Sequence, residues 1–321
     1  MPDMSVGGQA VIEGVMMRSK DRISTAVRIP SGEILVKTED YISLSRRHKI
    51  LGLPIMRGII TFFEMMIIGI KTLNFSADIS LKEIERKEAM ENGKEYIPEE
   101  KKSSGFMLIL TVFFALAVGI ALFFFLPLAI AEFIGAKKDA LAFNLIAGGI
   151  RVAIFLGYMW FISLFGEFKR VFQYHGAEHK SIFAYENGDA LTTDNVGQYT
   201  TFHPRCGTSF ILIVVLSAIF IYAVSDSIFA AIAGAPPTLL QRFATHFSLL
   251  PLVAGGSYEL LKLSGKTRNN PITRFLIQPG LWLQRITTSE PSPDQMEVAI
   301  VALESALGHT ESLLTVKRTC L

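Results

Sequence analysis

Two histidines and a glutamate lie within one helical turn in the segment His175-Gly-Ala-Glu178-His179. Residues four apart share one face of a helix, and residues three apart are neighbours on it. One face can therefore offer His175 and His179 to a divalent metal ion, with Glu178 beside them as a base. This order of residues inverts the His-Glu-x-x-His pattern of zinc hydrolases, so zinc is the expected ion. The alternative is a helix end that only hydrogen-bonds carbonyls and lipid headgroups at a membrane interface.

A third metal ligand must come from another segment, because one turn of helix rarely supplies a complete ligand set. Glu259 is the first candidate, since a carboxylate in an otherwise apolar segment is costly unless it is paired or binds a metal. His203 and Cys206 are its rivals. Adding both would give a closed, structural site, whereas two histidines with Glu259 would leave a position for water. The alternative for Glu259 is a salt bridge to one of three basic residues, namely Arg151, Lys262 and Arg205.

An open coordination position predicts hydrolytic chemistry, because water on such a zinc ion ionises near neutral pH. Glu178 would act as the general base, and the guanidinium of Arg205 would stabilise a developing oxyanion. The glycine-rich start, Gly7 to Arg18, permits close backbone approach to a ligand. It contributes Glu13 and Arg18 as further candidates for the same site. The alternative for this segment is a half-buried strand with a β-bulge.

The elements that carry these residues have the composition of a membrane protein. Half of the 321 residues are apolar, and the mean hydropathy is +0.39. The pattern predicts a mainly α membrane protein with about four transmembrane helices, additional interfacial helices and a small N-terminal β unit on the cytoplasmic side. The predicted spans are Phe106 to Ile134, Ala140 to Phe165, Thr208 to Val224 and Leu239 to Leu263.

The chain divides into four predicted units. Strand patterns around the turn Pro30-Ser-Gly-Glu33 indicate a small β-rich unit. The segment Pro54 to Phe75 is apolar but interrupted by charges, which favours an interfacial amphipathic helix; a buried or re-entrant segment is the alternative. The units are a cytoplasmic β unit over 1–50, an interfacial helix and charged linker over 51–104, a bundle over 105–288 with its site in the loop 166–206, and a cytoplasmic C-terminal helix and tail over 289–321.

Lysines and arginines predict the orientation. They cluster before the first span, between the second and third, and after the fourth, whereas the opposite loops carry few. The positive-inside rule therefore places both termini and the central loop in the cytoplasm. The net charge of +2 gives no reason to expect a nucleic-acid partner. The expected partners are the lipid bilayer and a membrane-proximal peptide or lipid substrate.

Four segments carry a resemblance to a known family: Gly7 to Arg18, Tyr174 to Lys180, His203 to Ser209 and Pro279 to Thr288. Over nearly its whole length the chain resembles the YqhQ-like bacterial family of uncharacterised membrane proteins, which are described in general terms as predicted metal-dependent enzymes. The resemblance implies an integral protein of the bacterial inner membrane. It also supports metal binding at the His175, Glu178 and His179 segment, but it implies no substrate.

Two functions are compatible with these patterns. The first is an integral membrane metal-dependent enzyme, a hydrolase acting at the cytoplasmic interface on a peptide bond or a lipid-headgroup ester. The second is a non-enzymatic membrane factor or transporter-like protein, with a structural metal or a proton relay; Arg151 and Glu259 within spans suit it. An open coordination position would favour the enzyme, four protein ligands a structural metal, and a continuous polar path past Arg151 transport.

Overall fold

The computed structural model of the chain describes residues 6–92, 105–136, 140–266, 270–309 and 315–316. These residues form mostly helices, together with one small antiparallel sheet, as the sequence predicts. The strands are β1 (Gly7–Val11), β2 (Gly14–Arg18), β3 (Arg22–Arg28), β4 (Ile34–Asp40) and β5 (Thr315–Val316). The helices are α1 (Leu44–Arg47), α2 (Met56–Glu91), α3 (Gly105–Ile120), a π-helix (Ala121–Phe125), α4 (Leu126–Phe133), α5 (Ala140–Ser163), α6 (Gly166–Asn187), α7 (Thr193–Gly197), α8 (Gly207–Ala233), α9 (Leu239–Lys266), α10 (Pro271–Thr287) and α11 (Pro293–Leu307).

The sheet follows the chain order β1-β2-β3-β4-β5, and every neighbouring pair is antiparallel. Glu13 sits in the tight β1–β2 connection with a φ of +53°, a left-handed conformation followed at once by Gly14. No side chain fits at Gly14, because an added Cβ would lie 2.1 Å from the Ala26 carbonyl oxygen on β3. The predicted glycine-rich strand is therefore two short strands joined by a strained turn.

Helix α11 packs on the sheet and forms one core with it and with α6. A capping box between Ser292 and Gln295 starts α11, and Gly308 ends it with a φ of +86°. The shared core includes Val15, Met17, Ala26 and Ile34 of the sheet, Tyr174 and Ala177 of α6, and Val298 and Leu303 of α11. The C-terminal helix therefore belongs to the same packed body as the N-terminal strands.

Helix α2 also contacts the sheet. The backbone N–H of Ile12 donates to Ser76 Oγ at 3.2 Å, and Gly69 meets the side chain of Gln9 so closely that a Cβ would lie 2.8 Å from its Oε1 atom. These contacts fasten the middle of α2 to the sheet.

Four helical segments are long and apolar enough to cross a membrane: Met56–Glu91, Ile109–Phe133, Leu141–Ser163 and Gly207–Ala233. The last three coincide with predicted spans. Helix α9, predicted as the fourth, is not in this set, because polar residues such as Arg242 and Glu259 interrupt it. Within the second segment the π-helix lies just before Pro127, whose missing N–H and ring disfavour a regular helix there.

Candidate metal centre

The helix that carries the His-x-x-Glu-His motif lies between the sheet and the apolar bundle. Helix α6 ends at Asn187, and Gly188 follows with a φ of +78°, the left-handed conformation with which helices commonly end. In the middle of α6, the absence of a side chain at Gly176 allows the backbone that follows α10 to lie directly against the helix. An added Cβ there would lie 2.2 Å from the Ser289 carbonyl oxygen. This contact brings the end of α10 alongside both histidines.

Backbone carbonyls orient both imidazole rings. His175 Nδ1 lies 2.8 Å from the carbonyl oxygen of Thr287, and His179 Nδ1 makes a short hydrogen bond to the carbonyl oxygen of Thr201. A carbonyl can only accept, so each Nδ1 donates its proton and each Nε2 is turned away from that partner. Metal-binding histidines commonly have this second hydrogen bond, which fixes the ring for coordination through the other nitrogen.

The two Nε2 atoms converge with the thiol of Cys206. His175 Nε2 lies 3.2 Å from Cys206 Sγ, and the two imidazole centroids are 4.4 Å apart. His179 Nε2 is buried and has no hydrogen-bond partner among the described residues. One ligand atom from each of these residues lies within 4.8 Å of the other two. Two nitrogens and one sulphur at this spacing fit the ligand set of zinc, with a fourth tetrahedral position not filled by this group.

Cys206 is placed at the N-cap of α8, where its sulphur accepts from the Thr208 N–H at 3.4 Å. Burial opposes ionisation of this thiol, but the charges of His175 and His179 and the hydrogen bond from His175 outweigh it and hold the pKa of Cys206 well below its usual range. Burial also disfavours the charged form of His175, and taken alone it would lower the pKa of this imidazole. The Cys206 thiolate, Glu178 and the Thr287 carbonyl instead raise the pKa of His175 to about 9. The two shifts run in the direction that favours transfer of the thiol proton to the His175 imidazole.

Glu178 lies next to these ligands but is directed at strand β1. A Cβ added at Gly8 would lie 2.8 Å from Glu178 Cγ and 2.9 Å from Cδ, so only glycine leaves room for the carboxyl group. Burial raises the pKa of Glu178, while the neighbouring His179 and His175 oppose that rise. A buried carboxyl group with a raised pKa suits proton transfer. The sequence predicts close approach at the glycine pair, and the structure identifies the side chain that approaches.

Glu259, the first candidate for the third ligand, binds an arginine and is not part of the group of converging ligand atoms. Its carboxylate accepts two hydrogen bonds from Arg57, with the Nε donor at 2.7 Å, and forms an ion pair that joins α9 to α2. The anticipated partners Arg151, Lys262 and Arg205 are not the ones that make this bond. Arg57 reaches it because Gly58 packs directly against Gly255, where a Cβ would lie 2.8 Å from the Gly255 carbonyl oxygen. Cys206, one of the two rivals of Glu259, lies in the group of converging ligand atoms instead.

His203 and Arg205 lie beside the centre, but their side chains face the carboxylate of Glu186. His203 Nδ1 accepts the Arg205 N–H at 3.3 Å, and its Nε2 faces the Glu186 carboxylate at 3.7 Å. The Arg205 guanidinium forms a close ion pair with the same carboxylate. His203 is therefore not a ligand in this arrangement, although its ring lies 5.6 Å from that of His179. Arg205 is likewise held at Glu186 instead of facing the converging ligand atoms.

Glu13 and Arg18, the two N-terminal candidates, also have other partners. The Glu13 carboxylate is bound by the Arg170 guanidinium and lies 3.4 Å from the Tyr174 hydroxyl. Arg18 donates to Met65 Sδ at 3.1 Å and stacks over the ring of Tyr41. Neither side chain joins the metal-ligand group. Both fasten the sheet, to α6 and to α2 respectively.

The segment Pro279 to Thr288, one of the four that carry the family resemblance, borders the centre. Besides the Thr287 carbonyl, it contributes the buried Gln284, whose amide bonds both the N–H and the carbonyl of His203 and the hydroxyl of Ser209. Trp282 is 57% exposed on the same helix. The orienting carbonyls of Thr201 and Thr287 carry no side-chain signal and were not predictable from the sequence.

The fold and this site define a mainly helical protein with membrane-length helices, a small sheet and a His-His-Cys group between them. The chain belongs to the family described as "Protein of unknown function (DUF1385)", which matches residues 53–309. It is 36% identical over 318 residues to "Uncharacterized protein YqhQ" of Bacillus subtilis (strain 168), which covers 94% of this chain and 92% of that protein. No solved structure gives a significant match. The family resemblance found in the sequence is confirmed.

Proposed function

We propose that this protein is a metal-dependent hydrolase of the bacterial inner membrane, with zinc bound by His175, His179 and Cys206. The observation that carries the proposal is the convergence of the two Nε2 atoms and the sulphur while carbonyls hold both Nδ1 atoms. Carbonyl-bound histidines beside a thiol whose pKa is lowered are preorganised for coordination, so little conformational entropy is lost when a metal binds.

Three protein ligands favour catalysis over a structural role, since structural zinc sites are closed by four. When bound, zinc supplies a Lewis acid and an ionisable water. Glu178 is the acid–base group, because its buried carboxyl lies next to the ligands and has a raised pKa. Arg205 can take the proposed oxyanion-stabilising role only after it leaves Glu186.

The substrate class follows from the position of the centre. It lies at the start of α8 and beside the amphipathic α10, with the sheet and α11 on the side that the basic residues assign to the cytoplasm. A membrane-proximal peptide bond or a lipid-headgroup ester fits this level. The inverted zinc motif favours the peptide by analogy alone.

The alternative is a transporter-like or non-enzymatic membrane factor, which a second buried cluster supports. Asp226 accepts hydrogen bonds from Asn144 at 2.8 Å and from His246 at 2.9 Å, inside the apolar helices. Arg151 lies over the ring of Tyr222, one turn from Asp226 on α8. Ionisable groups within membrane helices commonly mark proton or ion pathways.

Metal content and cobalt substitution test the proposal without knowledge of the substrate. Purified protein is expected to hold one zinc per chain, which His175→Ala and His179→Ala remove. Cobalt-substituted protein should show a thiolate-to-cobalt absorption band that Cys206→Ser abolishes. Metal content unchanged in all three variants would overturn the proposed ligand set.

Activity separates the enzyme from the alternative. A panel of fluorogenic peptides and phospholipid esters is assayed with reconstituted protein, before and after chelation. We expect Glu178→Gln to abolish turnover while zinc content stays normal. Loss of zinc in Glu178→Gln would make this residue a ligand or a structural group. Proton uptake into vesicles that depends on Asp226 and persists after chelation would favour the transporter-like alternative.

A further inference from the structure

The segment between the sheet and helix α2 presents an exposed apolar surface. We name residues 42–56 the apolar tip. Ile50 is 72% exposed and Leu53 is 54% exposed. Single exposed apolar residues are ordinary, but this segment concentrates several, and concentrated exposure marks an interaction surface. The exposed large apolar residues of the tip are Ile42, Leu44, Ile50, Leu53, Ile55 and Met56.

A basic run crosses the middle of the tip, from Arg46 through Arg47 and His48 to Lys49. Arg46 is engaged by the Asp21 carboxylate at 2.9 Å. Arg47 and Lys49 are exposed and form no ion pair within the part of the chain that the structure describes. Two cations thus stand beside the apolar surface, and their charge favours a partner that carries negative charge.

The tip is fixed to its neighbours, so its apolar side chains are held outward. Ser43 Oγ and the Leu44 N–H both donate to the Glu64 carboxylate at 2.7 Å. Ile55 has a φ of +69°, which is strained for a β-branched residue. Its carbonyl oxygen packs against Gly255, where a Cβ would lie 2.6 Å away. Strain held by this contact maintains a turn that exposes Ile55 and its neighbours.

We propose that the apolar tip docks on the anionic phospholipid layer of the membrane, with Ile50 and Leu53 among the acyl chains and Arg47 and Lys49 at the phosphates. Apolar insertion combined with basic residues is how interfacial segments bind anionic bilayers. The exposed apolar surface continues onto α2 at Ile67, which is 64% exposed on a helix of membrane-compatible composition. This continuity favours a bilayer over a protein partner, and the inference does not depend on the metal centre.

Fluorescence quenching in nanodiscs tests the insertion of the tip in the full-length protein. The two natural tryptophans are first removed by Trp160→Phe and Trp282→Phe. Ile50→Trp is then compared with Met90→Trp, which places the probe at the exposed far end of α2. Brominated phosphatidylcholine quenches by contact, so Ile50→Trp should be quenched severalfold more strongly. Equal quenching of the two probes would overturn the proposal and leave a protein as the partner of the tip.

The anionic preference is tested with brominated phosphatidylglycerol as a minor component of the nanodisc. Quenching of Ile50→Trp should exceed the level set by the bulk lipid fraction. The excess should fall about fivefold for each charge removed by Arg47→Gln and Lys49→Gln. The matched pair Lys82→Gln and Lys87→Gln, exposed on α2, should keep it. Quenching at the bulk fraction, or an excess that survives removal of both tip charges, would overturn the anionic preference. Retention of the excess by Arg47→Lys with Lys49→Arg supports it and controls for misfolding.

Discussion

Two clusters of buried polar side chains lie at different levels of the molecule, about 30 Å apart along helix α8. The candidate metal centre, the group His175, His179 and Cys206, lies at the N-terminus of α8. The bundle cluster is formed near the opposite end by Asn144, Asp226, Arg242 and His246. Its central carboxylate accepts from Asn144 and His246 and lies 3.4 Å from Arg242 Nε. The bundle cluster is therefore organised around one negative charge, whereas the metal centre has its ligand atoms facing one another.

The partner of each ring, and not its burial, distinguishes the two kinds of histidine. His179 is 1% exposed and His246 is 0% exposed, so accessibility does not separate them. A backbone carbonyl holds His179 through Nδ1, which leaves Nε2 for a metal. A carboxylate holds His246 through Nε2, and the Tyr222 ring stacks on it at 4.1 Å. His246 is therefore built into an ion-pair network with Asp226.

The largest expected difference between the clusters is in metal affinity. His179→Ala should weaken zinc binding by more than about 100-fold, since loss of a ligand exceeds the usual effect of losing an outer hydrogen bond. His246→Ala should leave the affinity unchanged. Competition with a chromophoric chelator measures both variants under one set of conditions. A comparable loss in His246→Ala would show that the two clusters are not separate.

For the free energy of unfolding, we expect the larger effect from a substitution in the bundle cluster. Asp226→Asn removes the charge that compensates Arg242 inside the bundle, and an uncompensated buried charge costs about 3–5 kcal/mol. We expect a clear drop in the unfolding midpoint in detergent, with zinc content unchanged. Asp78→Asn, at an exposed carboxylate on α2, is the matched control and should have little effect. An unchanged midpoint in Asp226→Asn would mean that the bundle cluster does not stabilise the fold.

Some features of the two clusters could be predicted from local sequence patterns. The spacing of His175 and His179 and the long apolar helices follow from periodicity within single segments. The partner of Glu259 did not follow, because Arg57 lies 202 residues away and meets it only where two glycines let α2 and α9 approach. Such an ion pair depends on packing that no local pattern encodes.

The ligand set was predictable only as a group of rivals. Cys206 was among the candidates because its segment is polar and precedes an apolar helix, but its role depends on the N-cap position and on the turn of both imidazoles towards it. Those turns are set by the carbonyls of Thr201 and Thr287, which every residue type possesses. Backbone groups carry no identity in a sequence, so tertiary structure was needed to select Cys206 over Glu259.

The affinity for zinc should depend on pH, because His175 and Cys206 must release a proton before they bind a metal. The pKa of His175 is raised to about 9 while no metal is bound. At neutral pH a metal must therefore displace the proton that lies between His175 Nε2 and Cys206 Sγ. Apparent zinc affinity should therefore increase by about tenfold per pH unit up to about pH 9 and level off above it. Isothermal titration in buffers of different ionisation enthalpy measures the released proton. An affinity that is flat from neutral pH to pH 9 would contradict the raised pKa of His175.

The smallest predicted change tests how strand β1 positions the acid–base group. Gly8→Ala places a methyl group within 3 Å of both the Glu178 side chain and the backbone carbonyl oxygen of Met16 on β2. Overpacking of this kind costs about 1–3 kcal/mol, and it should displace the carboxyl group without removing a metal ligand. Zinc content should stay normal while turnover falls. Gly7→Ala is the matched control, because an added Cβ there meets nothing within 4 Å. Equal turnover in the two variants would show that the position of Glu178 against β1 does not matter for the reaction, and that the close approach of the first glycine strand to the metal centre serves packing alone.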